Sequence, residues 1–485
     1  MAHHKLPQNA NFHRAPRICF VPFPSPGRLI PMIDLANLFS SRGAHSTIFI
    51  TRGNAARFAS LVCHAAASGR RICFRLIPFP ADAGIPDNLQ CADTVISSRF
   101  AAAVDLLAPL ISRLLDEDTP DAIISDAYLP WTAGLAAEHR IPRYSFTGTG
   151  CFALAVERAL LLKRPQDRAG SDSEPFLVPG LPDLVYLTRS KIAERTQPEI
   201  QRKELTKKAL ESDTSTVGLV VNSFPELEPG YAEYYERETG KPVYTVGPVS
   251  LCIERREDAV ERGWGPEAAQ EATRVLSWLD GREPGTVVYV CFGSLYDFPA
   301  AQVRDIGMGL VDSGVPFVWV VRDDVEVEAA MEEKGLVVRG WAPQLVVLEH
   351  AAVGGLLTHC GWGTITEATA AGVPTLTWPL FGDQFYNERL VAGVVGTGAT
   401  VGAEKGSVWG EEVASNGLLV GREEVAESVR WLMKGYGRGD GVELIRRKAQ
   451  EMKEKARKAM AEGGSSYKNI ALIMEDIWRH KLENS

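Results

Sequence analysis

The feature that most constrains the fold of this chain is the stretch from Trp341 to Gln384, where apolar runs alternate with glycine-containing turns. The run Val353–Thr358 predicts a buried strand, and it leads through the turn HCGWGT into a helical pattern over Ile365–Ala371. A glycine turn between a strand and a helix presents free backbone N–H groups and the helix dipole to an anion. A second predicted strand, Pro374–Leu380, leads to Gly382-Asp383-Gln384, which offers two polar side chains to a polyol.

Alternating strands and helices extend over the rest of the chain. Near-continuous apolar strands separated by helical patterns are typical of a parallel, doubly wound α/β fold, because helices cover both faces of such a sheet. Further strands are predicted at Arg17–Phe23, Ser46–Thr51, Cys73–Phe79, Ala122–Ala127, Arg143–Thr147, Val217–Asn222, Val243–Val246, Thr286–Phe292, Phe317–Arg322 and Val337–Arg339. Helices are predicted, among others, at Pro31–Ser41, Ala101–Leu115, Thr132–His139, Val442–Ala461 and Tyr467–Ile477.

The alternation is interrupted by a charged, weakly periodic stretch from Ser250 to about Gln270, which we interpret as a linker between two domains. The predicted organisation is a flexible tail at 1–16, an N-terminal domain at 17–250, the linker at 251–272, a C-terminal domain at 273–465, and a C-terminal helix at 466–485. We expect that last helix to pack back on the N-terminal domain. The Lys-, Arg- and Glu-rich pattern of Val442–Ala461 indicates a solvated helix face and not a binding patch.

Charge and cysteine usage narrow the function classes. A net charge of -9 and a pI near 5.6 argue against a nucleic-acid partner. The eight cysteines are scattered without CxxC pairs, so we expect reduced thiols and no metal site. The first residues lack the apolar core of a signal peptide, and no stretch is long and apolar enough to span a bilayer. We therefore expect a soluble, cytoplasmic, monomeric protein without an integral membrane segment.

The stretch from Trp341 to Gln384 resembles the donor-binding signature of plant UDP-sugar-dependent glycosyltransferases of family 1, and likeness at Phe385–Glu388 and Gly463–Ser466 extends this resemblance over nearly the whole chain. The resemblance implies the GT-B fold, in which two facing Rossmann-like domains bind ligands in the cleft between them. It further implies transfer of a sugar from a UDP-sugar to a small hydrophobic acceptor, without a cofactor or a metal. The terminal Gln384 resembles the glucose-preferring signature, although UDP-rhamnose and UDP-xylose stay open.

The resemblance also assigns roles to individual residues of the signature. The nucleoside would be held by Trp341 stacked on the uracil, by the backbone of Ala342 at the base edge, and by Gln344 and Glu367 at the ribose hydroxyls. The diphosphate would be contacted by His359, Thr364 and the turn backbone, with Ser294 nearby.

The sugar would be lined by Trp362, Asp383 and Gln384. One position of the signature departs from the family, because Gly363 stands where asparagine is usual. This change removes one phosphate hydrogen bond, although glycine also lets the backbone approach a ligand closely.

Each assignment has a structural alternative. Thr364–Glu367 fits a capping box, in which Glu367 would tie down the start of its own helix. His359 would then be an ordinary buried histidine, and Trp341 and Trp362 would be core or interface aromatics. The joint register of the whole signature favours the donor site.

The largest departure from the family lies in the N-terminal half. Inverting sugar transfer normally uses a histidine base oriented by a carboxylate. The carboxylate is present as Asp126 in IISDAYLPW, but the segment PSPGRLIP places Arg28 at the position of the histidine. Arginine cannot act as a general base near neutral pH.

Three interpretations of this departure are open. In the first, Arg28 and Asp126 form an ion pair, and the acceptor is a phenolic or flavonoid hydroxyl that ionises easily. In the second, Asp126 or a distant histidine, His64 or His139, takes the proton. In the third, the protein binds UDP-sugar or small phenolics with little or no turnover. An NAD-dependent oxidoreductase is disfavoured, because no G-x-G-x-x-G follows the first strand. We expect the acceptor to be chosen by loops around 80–100 and 150–205, with Thr147 or Thr149 near the sugar.

Overall fold

The structure is a computed structural model that describes residues 15–80, 100, 102–192, 214–265, 268–293, 298–403, 420–435 and 441–483. Within these ranges the strands are β1 Arg17–Val21, β2 His45–Thr51, β3 Ile72–Ile77, β4 Ala122–Asp126, β5 Arg143–Thr147, β6 Phe176–Val178, β7 Val185–Leu187, β8 Gly218–Val221, β9 Val243–Thr245, β10 Val287–Cys291, β11 Phe317–Val321, β12 Leu336–Arg339, β13 Val353–Thr358, β14 Thr375–Thr377 and β15 Gly398–Thr400.

The helices of the same ranges are α1 Pro26–Ser41, α2 Arg52–Ala56, α3 Ala59–Ala67, α4 Ala108–Glu117, α5 Thr132–Glu138, α6 Cys151–Lys163, α7 Tyr231–Thr239, α8 Arg256–Glu261, α9 Ala268–Asp280, α10 Ala300–Ser313, α11 Ala329–Lys334, α12 Gln344–Leu348, α13 Trp362–Ala371, α14 Gln384–Glu388, α15 Arg422–Lys434, α16 Val442–Met460 and α17 Ser465–Glu483. A π-helical stretch follows α14 at Arg389–Val395. None of the described helices is long and apolar enough to cross a membrane.

Seven parallel strands form the N-terminal sheet, in the order β3-β2-β1-β4-β5-β8-β9. The central strands are apolar along nearly their whole length because helices cover both faces of the sheet. Met32 and Ile33 of α1 pack in the core on one face, and Ile111 and Leu115 of α4 pack in the core on the other. This is the doubly wound arrangement that the sequence predicts.

Six parallel strands form the C-terminal sheet, in the order β12-β11-β10-β13-β14-β15. Ile306 of α10 and Val425 of α15 pack on one face, and Leu279 of α9 and Ala368 of α13 pack on the other. The chain therefore folds into two parallel-sheet, Rossmann-like α/β domains, as expected for a GT-B protein.

Each sheet reverses its strand order at one place, and ligands of doubly wound sheets bind at the carboxyl ends of the strands beside that reversal. In the N-terminal sheet the reversal lies between β1 and β4. In the C-terminal sheet it lies between β10 and β13. Arg28 follows β1 and Asp126 ends β4, whereas His359 follows β13. Residues predicted for chemistry and for the donor thus lie at the two points that the topology favours for ligands.

The two domains share one buried apolar cluster. It contains Phe152 of α6 and Tyr231 of α7 from the N-terminal domain, together with Trp362 of α13 and Phe385 of α14 from the C-terminal domain. The last helix, α17, contacts the N-terminal sheet, where the Asp476 carboxylate accepts a hydrogen bond from the Tyr144 hydroxyl at 2.6 Å. Lys481 of the same helix lies 2.5 Å from Asp121.

Several predicted boundaries differ from the observed ones for identifiable reasons. Helix α1 begins at Pro26 and not at Pro31, because Pro26 has the fixed φ that suits a first helical position. The strand predicted over Pro374–Leu380 is confined to Thr375–Thr377. Prolines at both ends of the predicted run cannot donate to the ladder. The short edge strand β15, at Gly398–Thr400, has no apolar run that would have indicated it.

Candidate active site

Arg28 and Asp126 form an ion pair at the carboxyl edge of the N-terminal sheet. One terminal guanidinium nitrogen of Arg28 lies 3.0 Å from Oδ1 and 3.2 Å from Oδ2 of Asp126. Because α1 begins at Pro26, Arg28 lies in its first turn and reaches across to the end of the neighbouring strand β4. The Asp126 side chain is 0% exposed and that of Arg28 is 16% exposed, so the arginine covers the carboxylate from the cleft.

Tyr128 and Gly148 complete the surroundings of this ion pair. The Arg28 guanidinium lies 3.5 Å from the centroid of the Tyr128 ring, a cation–π distance. A Cβ at Gly148 would lie 3.4 Å from three Arg28 side-chain atoms, so the loop after β5 packs directly on the arginine. Burial disfavours the Arg28 charge, but Asp126, Tyr128 and Asp383 together outweigh that effect, and the pKa of Arg28 is raised. Arg28 therefore remains a cation.

The other candidate bases do not join this network. His64 lies 2.6 Å from Asp258, and His139 lies 3.7 Å from Asp116, on α3 and after α5 respectively. Arg28 lowers the pKa of Tyr128, but burial and nearby carboxylates raise it more, so Tyr128 remains a neutral phenol near pH 7.

The turn between β13 and α13 builds an anion-binding element. Cys360 has a φ of 67°, which is rare for a residue with a Cβ, and this left-handed turn sends the chain directly into α13. Helix α13 begins at Trp362 with Gly361 as its N-cap, and no acidic residue occupies its first turn. Within the described residues no side chain caps this helix start, so its first N–H groups can meet an anion.

His359 lies against this helix start. Its imidazole packs against Gly361 and Gly293, where added Cβ atoms would approach it to 2.5 and 2.8 Å respectively. Its Nδ1 lies 3.2 Å from the Thr358 hydroxyl. Burial lowers the pKa of His359 to about 4, so the ring is neutral near pH 7 and offers a hydrogen bond more than a charge. Ser294, predicted nearby, lies outside the described residues.

Gln344, Thr364 and Glu367 form one hydrogen-bonded group. The Gln344 amide nitrogen donates to Glu367 Oε2 at 2.6 Å and to the Thr364 hydroxyl at 3.3 Å. The capping-box alternative is wrong, because Thr364 lies inside α13 and the N-cap Gly361 has no side chain to cap with. Glu367 instead faces Gln344 from α12 and Arg262 from the segment between the domains, whose NH1 lies 2.7 Å from Glu367 Oε1.

Trp341 is half-buried. The ring of Trp264 stacks on it with centroids 5.8 Å apart and planes 7° apart. Among the described residues the buried Trp341 indole nitrogen has no hydrogen-bond partner. The carbonyl of the neighbouring Ala342 accepts from the Gln344 N–H at 2.8 Å. Sequence reasoning missed Trp264 and Arg262, whose only signal is the unusual RGWG run within a charged linker.

Asp383 connects the two domains at the predicted sugar site. Its Oδ2 accepts hydrogen bonds from the Thr149 hydroxyl and the Asn387 amide, both at 3.2 Å. Burial raises the pKa of Asp383, although Asn387, Arg28 and Thr149 each lower it. Because Thr149 follows Gly148, which packs on Arg28, the ion pair and Asp383 are neighbours across the cleft.

The side chains of Gln384 and Trp362, both predicted to line the sugar, hydrogen-bond to the backbone of the protein. The Gln384 carbonyl oxygen accepts from the N–H groups of Leu380 and Phe381 at 2.9 and 3.1 Å, which leaves its amide nitrogen for a ligand. Trp362 is 3% exposed, and its indole nitrogen donates to the Asn222 carbonyl at 2.9 Å. The next residue, Gly363, has no atom within 4 Å of an added Cβ.

Comparison with known proteins places this site in a family. The family model described as UDP-glucoronosyl and UDP-glucosyl transferase matches residues 274–424. The chain is 40% identical over 473 residues to scopoletin glucosyltransferase of Nicotiana tabacum, covering 94% of this chain and 97% of that protein. It is 39% identical over 475 residues to UDP-glucose flavonoid 3-O-glucosyltransferase 7 of Fragaria ananassa, covering 95% of this chain and 96% of that protein.

A solved structure agrees with the same assignment. A Glycyrrhiza uralensis protein crystallised with glycyrrhetinic acid 3-O-monoglucuronide superposes with a TM-score of 0.89 at 34% identity, covering 97% of both chains.

Proposed function

Because this chain belongs to the plant UDP-glycosyltransferase family, we propose that it transfers glucose from UDP-glucose to a phenolic hydroxyl, such as that of a flavonoid, with inversion at the anomeric carbon. The observation that carries the proposal is the Arg28–Asp126 ion pair, with contacts of 3.0 and 3.2 Å, beside Asp383 of the other domain. A cation at this position suits an acceptor that becomes an anion easily.

The donor would lie across the C-terminal sheet. Trp341, the backbone of Ala342, Gln344 and Glu367 would hold the nucleoside, and His359, Thr364 and the N–H groups of the α13 start would hold the diphosphate. Trp362, Asp383 and the Gln384 amide would face the glucose. No step of this arrangement requires a metal, because the helix start and neutral donors meet the phosphate charge.

Arg28 would lower the pKa of an acceptor hydroxyl placed beside it. A charge ~4 Å away at an effective dielectric constant of ~20 is worth about 4 kcal/mol. That energy corresponds to about three pKa units, which would bring a phenol of pKa ~10 close to neutrality. An aliphatic alcohol, nearer the ~15.7 of bulk water, would stay protonated. Asp126 shares the same guanidinium, so these figures are upper bounds.

The transfer step then needs no protein base. The phenol releases its proton to solvent, and the phenolate oxygen forms a bond to the anomeric carbon. The bond from that carbon to UDP breaks, and its electron pair leaves on the diphosphate oxygen. Asp126 orients Arg28 and is too buried to take the acceptor proton directly. Catalysis would thus come from positioning and charge.

The test is a matched acceptor panel on one aromatic scaffold: a phenol, a carboxylic acid and an aliphatic alcohol, each incubated with UDP-glucose. Glucoside from the ionisable acceptors only, with rates that rise with phenol acidity, supports the proposal. Equal turnover of the alcohol would contradict the proposal, because it would require a protein base that the ion-pair mechanism does not include. UDP binding without any glucoside would favour the alternative of a binding protein with lost or weak activity.

A further inference from the structure

Arg262 lies between the two domains and contacts one buried carboxylate from each. Its guanidinium nitrogens lie 2.5 to 3.2 Å from the Asp34 carboxylate of α1, and NH1 lies 2.7 Å from Glu367 Oε1 of α13. The side chains of Arg262, Asp34 and Glu367 are 8%, 0% and 9% exposed. A residue of the interdomain segment thus holds a predicted ribose ligand.

The charges of this group depend on one another. Burial raises the pKa of Asp34, and Arg262 opposes that rise. Both carboxylates raise the pKa of Arg262 against the effect of its burial. Without the guanidinium, two buried carboxylates would face each other uncompensated. A buried ion group of this kind is weak evidence for stability, so its location on a ligand-binding residue points to another role.

Arg262 and Gln344 together fix the orientation of Glu367. Oε1 accepts from Arg262 at 2.7 Å and Oε2 accepts from Gln344 at 2.6 Å, so neither oxygen is free to turn. A carboxylate oxygen has two lone-pair sites, and each oxygen of Glu367 retains one for a ligand hydroxyl. Two vicinal hydroxyls, as in ribose, match this arrangement of two acceptors.

The same short segment contacts the residue predicted for the base. Trp264 stacks on Trp341, and Gly263 has a φ of 81°. A Cβ at Gly263 would lie 2.7 Å from Ile30 and 3.2 Å from Trp341, so only glycine fits between them without a shift. Residues 262–264 therefore border both halves of the predicted nucleoside site.

We propose that Arg262 is a positioning residue for the donor: it holds Glu367 in the orientation that accepts both ribose hydroxyls, and it links that site to Asp34 of the other domain. This inference rests on the proposed function, because it takes the nucleoside of a UDP-sugar as the ligand. Its specific consequence is selectivity for a ribonucleotide over a deoxyribonucleotide.

The experiment compares the Kd of UDP with that of 2′-deoxyuridine diphosphate by titration calorimetry. The wild-type protein is expected to prefer UDP by about tenfold or more, since a missing hydroxyl leaves a buried acceptor unpaired. In Arg262→Gln, UDP is expected to bind about tenfold more weakly, whereas the deoxynucleotide, which offers Glu367 only its 3′-hydroxyl, loses less affinity, so the preference for UDP narrows. Arg262→Lys keeps the charge without the planar fork and is expected to lie between the two.

Two controls separate this role from a structural one. Arg255→Gln changes a half-exposed arginine of the same segment and is expected to leave both Kd values unchanged. In a Glu367→Ala background, Arg262→Gln should have no further effect on the nucleotide preference, because Arg262 acts through that carboxylate.

The proposal fails if Arg262→Gln and Arg262→Lys keep the wild-type preference for UDP, or weaken both nucleotides equally. Melting temperatures recorded alongside show whether each variant is folded. If wild-type protein binds UDP without preferring it over the deoxynucleotide, the inference falls and the proposed function stands. If wild-type protein binds no UDP, the proposed function itself falls.

Discussion

The predicted donor side and the predicted acceptor side of the cleft are built differently. On the donor side, side chains hold one another in a group, since Gln344 bonds to Thr364 and Glu367, and Glu367 bonds to Arg262. On the predicted acceptor side, the ion pair of Arg28 with Asp126 lies at the carboxyl edge of the N-terminal sheet. The difference implies that each substitution in the Gln344–Glu367–Arg262 group weakens UDP binding by a limited amount. A substitution in the Arg28–Asp126 pair instead changes which acceptors can react.

The largest effect should come from removing the Asp126 carboxylate of this ion pair. Asp126→Ala leaves the mostly buried Arg28 without its partner, so we expect a loss of about 3 kcal/mol in the free energy of unfolding and the loss of glucoside formation. Denaturant titration and the phenol assay measure the two effects. Asp116→Ala removes an exposed carboxylate paired with His139 and is the matched control. A stable, active Asp126→Ala protein would show that the ion pair is dispensable.

Restoring the usual base should change acceptor preference. In Arg28→His, Asp126 can orient an imidazole, and a positioned base contributes about 100-fold or more to proton removal. We expect the rate on aliphatic alcohols to rise by roughly that factor, with a smaller change on phenols that ionise readily. Glucoside yields on the acceptor panel provide the measurement. An unchanged alcohol rate would mean that the missing base does not limit the wild type.

Stability should depend on pH through Glu228, which meets Trp362 of the other domain at Gly150, where an added Cβ would lie 2.6 Å from both side chains. Burial raises the pKa of Glu228 to about 7, although hydrogen bonds from Ser223, Phe152 and Cys151 lower it. A carboxyl whose folded pKa exceeds its unfolded value stabilises the protein below the unfolded pKa, near ~4.3, and loses that contribution as pH rises to about 7.

Glu228→Gln cannot titrate, so its stability relative to wild type should increase by ~3 kcal/mol between pH 4.5 and 7.5. Unfolding curves across this range provide the measurement, and Glu226→Gln, two residues away, is the control. Parallel curves for wild type and Glu228→Gln would contradict the assignment.

The smallest effect should come from adding a donor contact. Because no atom of the described residues lies within 4 Å of a Cβ at Gly363, a side chain fits there without displacing them. Gly363→Asn places an amide beside the turn predicted to bind the diphosphate, and one net hydrogen bond of ~0.5–1 kcal/mol predicts two- to fivefold tighter UDP binding. Gly363→Ala supplies a side chain without the amide, and equal affinities of the two variants would rule the contact out.

The sequence predicts the two sheets well and their junction poorly. Strands such as Val353–Thr358 are continuous apolar runs, so local composition is enough to locate them. The capping-box interpretation of Thr364–Glu367 was wrong because the left-handed turn at Cys360 starts the helix three residues earlier than the motif requires. A left-handed backbone conformation at a cysteine cannot be predicted from the residue type, so the sequence did not indicate where this helix begins.

The contacts of Arg262 and Trp264 had no local signal for a different reason. Each depends on elements from both domains, Asp34 with Glu367 and Arg57 with Trp341, that lie far apart in the sequence. A charged linker is ordinarily solvated, so its residues give no reason to expect burial. The Arg28–Asp126 ion pair, in contrast, was one of the interpretations that the sequence left open, because a motif located each partner separately.

The chain passes from one lobe to the other twice, once between β9 and β10 and once between α16 and α17, whose Asp476 and Lys481 are held by the N-terminal sheet. The two crossings tie the lobes together at two places, so any opening of the cleft has to leave both of them intact. Arg262 belongs to the segment of the first crossing and contacts one carboxylate of each lobe, so its ion pairs resist separation of the lobes at that place.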